Sequence, residues 1–68
     1  MALYFFGDIE FGDFMKGDDY HPIALIHAVH DTRKFDTDEE ADDYMTEQGY
    51  SGYVDADSKN IEIYFRKP

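Results

Sequence analysis

Six phenylalanines and six tyrosines have to build whatever core this chain possesses. There is no cysteine, so neither a disulfide framework nor a thiolate zinc site can stand in for packing. At 68 residues the chain makes one domain, residues 1–68. A domain this small buries only ~60% of the surface its unfolded chain exposes, so its core must be dense. Apolar residues make up 43% of the sequence, which is ordinary for a globular chain and too much for an acidic disordered tail.

Charge is the second constraint. Sixteen acids stand against six bases, for a net charge of −10. Bare nucleic acid and anionic membrane are thereby excluded as main partners, because phosphates repel such a surface. The acids are also concentrated. Residues 36–47, DTDEEADDYMTE, carry −7, and residues 8–19, DIEFGDFMKGDD, carry −4, while the rest of the chain sums to +1. No transmembrane span is expected. The run Ala2-Leu3-Tyr4-Phe5-Phe6 is too short and lacks the basic flank of a signal peptide.

The pattern predicts an α+β fold: an antiparallel sheet of about four strands, with one main helix over 38–48 on one face. The aromatic run 2–6 reads as a strand ended by Gly7-Asp8. Ile9, Phe11, Phe14 and Met15 follow a mixed spacing that allows a short helix near 10–16, which Gly12 weakens. Gly17-Asp18-Asp19 reads as a loop. Residues 22–30, PIALIHAVH, are apolar on both faces of a strand, as in a central strand; the competing reading is a helix with Pro22 in its first turn.

The helix over 38–48 has the clearest signals. Thr37 and Glu40 have capping-box spacing, Asp38, Glu39 and Glu40 suit the positive end of the dipole, and Gly49 is a stop. Tyr50 is placed to pack back on Met45. Ala41, Tyr44, Met45 and Gln48 share the apolar face. At the C-terminus, 51–56 and 61–66 read as a hairpin with turn chemistry at Asp57-Ser58-Lys59-Asn60. Ile61, Ile63 and Phe65 would form its buried face.

Candidate metal sites fail on residue type or geometry. Asp36, Asp38, Glu40 and Glu47 fit an EF-hand frame, but Ala41 occupies the position that needs glycine. In the frame Asp55, Asp57, Lys59 a cation occupies a ligand position. His27 and His30 share a face only on a helix, so the strand reading separates them. No glycine-rich phosphate loop occurs, and Ser51 and Ser58 have no histidine near them in sequence. The expectation is a non-enzyme with no metal or cofactor.

The acids of the helix avoid its apolar face. Glu39, Asp42, Asp43 and Glu47 form a row, with Asp38 alongside Asp42. Carboxylates four residues apart lie ~6 Å apart along a helix axis. Phosphates on one DNA strand follow each other on a similar scale, with ~3.4 Å of axial rise per nucleotide. Like charges so placed cost a few tenths of a kcal/mol per pair. Solubility alone needs a net charge of only about 2–8 in magnitude. Halophilic adaptation would spread acids around the whole surface.

Size, absence of cysteine and the stretches DTDEEADDYMTE and GDIEFGDFMKGDD resemble the phage-encoded DNA-mimic inhibitors, which include many small acidic anti-CRISPR proteins. The resemblance implies that carboxylates stand in for phosphates in the DNA-binding channel of a host defence complex, such as the surveillance complex of a type I CRISPR system. It implies a monomer acting in the cytoplasm of a bacterial host. The partner-binding residues expected are Asp38, Glu39, Asp42, Asp43 and Glu47, with Asp13, Asp18 and Asp19 from the second stretch. The partner would be a basic nucleic-acid-binding protein or nucleoprotein complex. A competing reading is an acidic adaptor that docks a basic protein without mimicry, anchored by Tyr20, Tyr50, Tyr53 and Tyr64.

Overall fold

The structure, a computed structural model, describes residues 2–57 and 60–66. Its spine is one long antiparallel hairpin of β1 (Ala2–Lys16) and β2 (Asp19–Phe35), followed by α1 (Asp38–Gln48), β3 (Gly52–Asp55) and β4 (Glu62–Phe65). The four strands make one sheet in the order β3-β1-β2-β4. The α+β expectation holds, but the sheet is mixed: β4 runs parallel to β2, while the other pairs are antiparallel.

The short helix expected near 10–16 does not form. β1 continues through Lys16, which pairs with Asp19 across a two-residue turn. Gly17 has φ 65 and Asp18 does not have positive φ. Glycine at the first central position of such a turn matches the right-handed twist of the flanking strands. The turn thereby sets a ladder in which Phe11 faces Ala24 and Met15 faces Tyr20, and pairing along this ladder overrides the weak helical spacing. Residues 22–30 are strand, inside β2, and β2 is a central strand as its two apolar faces require.

The hairpin is bent. A straight β2 of 17 residues would measure roughly 53 Å, yet the longest dimension of the molecule is 37 Å. The irregularities fall between Phe6 and Gly7 and between Asp8 and Ile9. Bulges of this kind bend a strand and increase its twist. Gly7 is buried there, and a Cβ on it would lie 1.9 Å from the Ala28 carbonyl oxygen. The Ser51 hydroxyl enters the same place: it accepts from the Ile9 N–H at 2.9 Å and donates to the Gly7 carbonyl at 3.0 Å. Backbone groups released by the irregular ladder are thus satisfied by a side chain.

The bend also explains why the C-terminal hairpin is absent. β3 lies beside Tyr4–Gly7 of β1 and β4 beside Ile23–Ile26 of β2, on opposite edges of the sheet. Asp55 is level with Tyr4 and hence with Arg33, ten residues from the Ile23 that faces Glu62. In a flat sheet that separation is about 33 Å, beyond the ~24 Å that seven residue steps can span. Only a folded-over sheet lets the chain connect. Of the turn expected at Asp57-Ser58-Lys59-Asn60, Ser58 and Lys59 lie outside the described residues.

Two apolar clusters result. Under α1, Phe6 is fully buried and is surrounded by the rings of Tyr4, Phe35, Tyr44, Tyr50 and Tyr53, with centroids 4.9–6.4 Å away. Ala41 closes this cluster from the helix. The second cluster joins Ile9, Ala24, Ile26 and Val54, with Ile61 packed against it. Ile63 and Phe65 are not the buried face expected of them: they are 38% and 74% exposed, because β4 lies at an edge.

α1 is capped much as its sequence predicts. Thr37 accepts from the Glu40 N–H at 3.3 Å, and Gly49 adopts a left-handed conformation while Tyr50 N–H donates to the Met45 carbonyl at 3.1 Å. The return bond of the capping box is displaced by one residue, since the Glu40 carboxylate accepts from Asp36 N–H at 3.2 Å. Gln48 is exposed, one turn beyond the covered stripe of Ala41, Tyr44 and Met45.

Candidate functional site

The solvent side of α1 is a field of carboxylates. Glu39, Asp42, Asp43 and Glu47 are all exposed, as their positions opposite Ala41, Tyr44 and Met45 require. Among the described residues Arg33 pairs with Asp31, and the His27 and His30 rings lie beside Glu10 and Asp8, so no acid of α1 has a cationic partner there. No basic residue occupies the last turn either.

Asp38 stands apart from that row. Its carboxylate accepts the Tyr4 hydroxyl at 2.7 Å, which ties the first helical turn to β1. This bond, with burial of the ring, pushes the Tyr4 phenol well above its ordinary pKa. Asp38 therefore holds the helix in place as well as adding charge.

Asp38 and Asp42 also border a groove of about 420 Å³ that contains Phe11, Met45, Tyr53 and Asp55. The bend of the hairpin brings Phe11 to this place, and the return of the chain through β3 supplies Tyr53 and Asp55. Three carboxylates thus meet one phenol. Burial and then the carboxylates of Asp42, Asp38 and Asp55 push the Tyr53 phenol up to about 12. Its hydroxyl donates to the Asp38 carbonyl at 3.4 Å. The groove lining combines apolar Phe11, Met45 and Ile61 with the carboxylates of Asp38, Asp42 and Asp55, a combination suited to an amphipathic cationic side chain.

A second depression, lined by Phe11, Asp13, Pro22, Ile23 and Ile61, adjoins the first through Phe11 and Ile61. The structure therefore brings Asp13 to the neighbourhood of Asp38 and Asp42. Asp18 and Asp19 are exposed at the hairpin tip, and neither borders these depressions. Sequence reasoning missed Asp55, Phe11 and Ser51 as members of this region. Their only local signal was strand alternation, which does not reveal which strands fold over one another.

Arg33, by contrast, is committed to the fold. Its guanidinium lies 4.7 Å from the centre of the Tyr44 ring and its Nε donates to Asp31 at 3.1 Å. The Tyr44 hydroxyl also donates to Asp31. These two bonds and the Thr32 N–H hold the Asp31 carboxyl below its usual range, while the same bond to Asp31 pushes Tyr44 up to about 12.

The expected tyrosine anchors divide into two classes. Tyr50 and Tyr53 are half-buried in the aromatic cluster, whereas Tyr20 and Tyr64 are exposed. The two histidines meet different carboxylates, His27 at 3.3 Å from Glu10 and His30 at 3.6 Å from Asp8. The EF-hand frame falls largely within α1, where backbone carbonyls serve the helix. No helix among the described residues is long and apolar enough to cross a membrane. No protein-family pattern, curated protein or solved structure matches the chain.

Proposed function

We propose that this protein is a non-catalytic inhibitor that occupies the DNA-binding groove of a basic protein or nucleoprotein complex, with carboxylates in place of phosphates. The observation that carries the reading is the row Glu39, Asp42, Asp43 and Glu47, exposed along α1 with no cationic partner among the described residues. Repulsion within such a row works against the helix, so its retention on a fold this small has a use in binding. Asp38 and Asp55 extend the negative surface around the groove, and Asp13 extends it past Phe11. The target class in this reading is a bacterial defence complex, with the surveillance complex of a type I CRISPR system as one example.

Three properties follow from this reading. Binding excludes DNA from the target. It weakens steeply with salt, because attraction between exposed charges is screened over ~8 Å at physiological ionic strength. It is fast, because opposed fields steer the encounter. The test is a gel shift of the target with its DNA under increasing amounts of this protein. Displacement of DNA is expected, and it is lost when Glu39, Asp42 and Asp43 are each changed to Lys while the circular dichroism spectrum is retained. Asp13→Lys weakens displacement; the same change at Asp18 or Asp19 reports whether the hairpin tip reaches the target. A ternary complex with DNA still bound at undiminished affinity would replace mimicry with the adaptor reading.

A further inference from the structure

β4 ends the sheet, and the order of its residues makes its free edge complementary to itself. Arg66 N–H donates to the Ile26 carbonyl at 3.0 Å, and Phe65 is the residue level with Ile26. Backbone polar groups alternate in direction along a strand. Those of Glu62, Tyr64 and Arg66 therefore turn toward β2, and those of Ile63 and Phe65 turn outward, where no further strand lies among the described residues.

We propose that two copies of the protein pair antiparallel through this edge, about a two-fold axis at Tyr64. Such a contact is isologous, the same patch meeting itself. In that register Ile63 of one copy faces Phe65 of the other, and these two are the residues whose outward N–H and C=O groups can exchange hydrogen bonds. Tyr64 faces Tyr64. Glu62 faces Arg66, twice by symmetry. The segment Glu62–Arg66 is neutral on a chain of net charge −10, so this edge avoids the repulsion that opposes contact elsewhere. The apolar side chains are already presented: Phe65 is 74%, Tyr64 46% and Ile63 38% exposed. An exposed apolar edge is a template for strand pairing unless something guards it; β4 is short, at four residues, but no proline or charge lies between Ile63 and Phe65, so the edge can offer one short ladder. The dimer joins the two sheets into one of eight strands, and it departs from the monomer expected at the outset.

The test is sedimentation equilibrium of the full chain at low and high salt. A reversible monomer–dimer equilibrium is expected. It strengthens as salt rises, since screening relieves the repulsion between two −10 chains; this trend is opposite to that expected for a basic target. Glu62→Arg or Arg66→Glu alone sets like charges opposite each other at two places and weakens the dimer by about tenfold. Both changes in one chain restore it, and mixing the two single variants gives a heterodimer. Phe65→Lys abolishes association with the circular dichroism spectrum unchanged. Tyr20→Lys, at the hairpin tip, leaves it intact. A single species of 8.0 kDa at millimolar concentration in both salts would overturn the proposal. So would a dimer indifferent to Phe65→Lys and both charge changes, or one lost on Tyr20→Lys.

Discussion

The Tyr4 hydroxyl donates to the Asp38 carboxylate at 2.7 Å, from a ring only 2% exposed beneath the helix. Tyr44 does the same for Asp31, and Tyr53 is enclosed by three carboxylates. All three phenols hold their protons more tightly folded than unfolded, with Tyr44 and Tyr53 at about 12 against the ordinary 10.0. The unfolded chain therefore loses protons first as pH rises. Stability from these groups is complete below pH 10 and falls as pH rises through 12, with the Tyr4 share lost last. On the acid side the sign reverses for Asp31, whose pKa is lowered from 3.8, so its contribution fades as pH falls below that value. An ultraviolet titration should find these three phenols un-ionised at pH 11 while the fold persists. Ionisation of every tyrosine near pH 10 with the fold intact would contradict the hydrogen bonds.

Phe6 and Phe65 carry the same side chain and should respond oppositely to truncation. Phe6→Ala removes a ring that is fully buried among five others and should cost ~3–5 kcal/mol. Phe65→Ala removes a ring that is 74% exposed and should stay within about 0.5 kcal/mol in the monomer. Urea unfolding of dilute protein measures both.

At the bend, Gly7→Ala places a methyl group against the Ala28 carbonyl, so a backbone shift is unavoidable. The variant should lose more stability than Gly12→Ala, where nothing lies within 4 Å. Ser51→Ala frees the Ile9 N–H and the Gly7 carbonyl and should cost about 1 kcal/mol. Thermal unfolding of the three variants ranks them. Equal effects at Gly7 and Gly12 would mean the bend lies elsewhere.

Replacing Glu39, Asp43 or Glu47 by Ala removes exposed carboxylates without touching Ala41, Tyr44 or Met45. Each change should preserve the fold and add a few tenths of a kcal/mol at low salt. The gain should vanish in molar salt, which denaturant titrations at two ionic strengths would show. Asp38→Ala should instead lower the melting temperature, because the Tyr4 hydroxyl loses its acceptor.

Features encoded over a few residues were legible in the sequence. Thr37, Gly49 and the apolar stripe fix α1, and the two acidic stretches are visible without any structure. Features encoded across the chain were not. The alternation of Ile61 to Arg66 fits any free sheet edge, and the choice of β2 over β3 depends on a bend at Gly7 that is set by residues more than forty positions away. Beyond the bend the ladder is regular from Ile9 to Lys16, but residues 10–16 are exposed on both faces, so burial imposes no period of two there and Phe11, Phe14 and Met15 resembled a helical turn. For the site, charge was legible and enclosure was not: Asp55 joins Asp38 and Asp42 only once β3 has docked.

The Ser51 clasp has a kinetic meaning. The turn at Gly17-Asp18 joins neighbours in sequence, whereas Ser51 closes on Ile9 and Gly7 over separations of 42 and 44 residues. Loop-closure entropy places the first event early and the second late. Substitutions at the turn should therefore slow refolding, and Ser51→Ala should mainly accelerate unfolding. The long hairpin would then form as an open ribbon and crease only when the chain after the helix arrives, so the groove beside Asp38 is among the last parts of the molecule to exist.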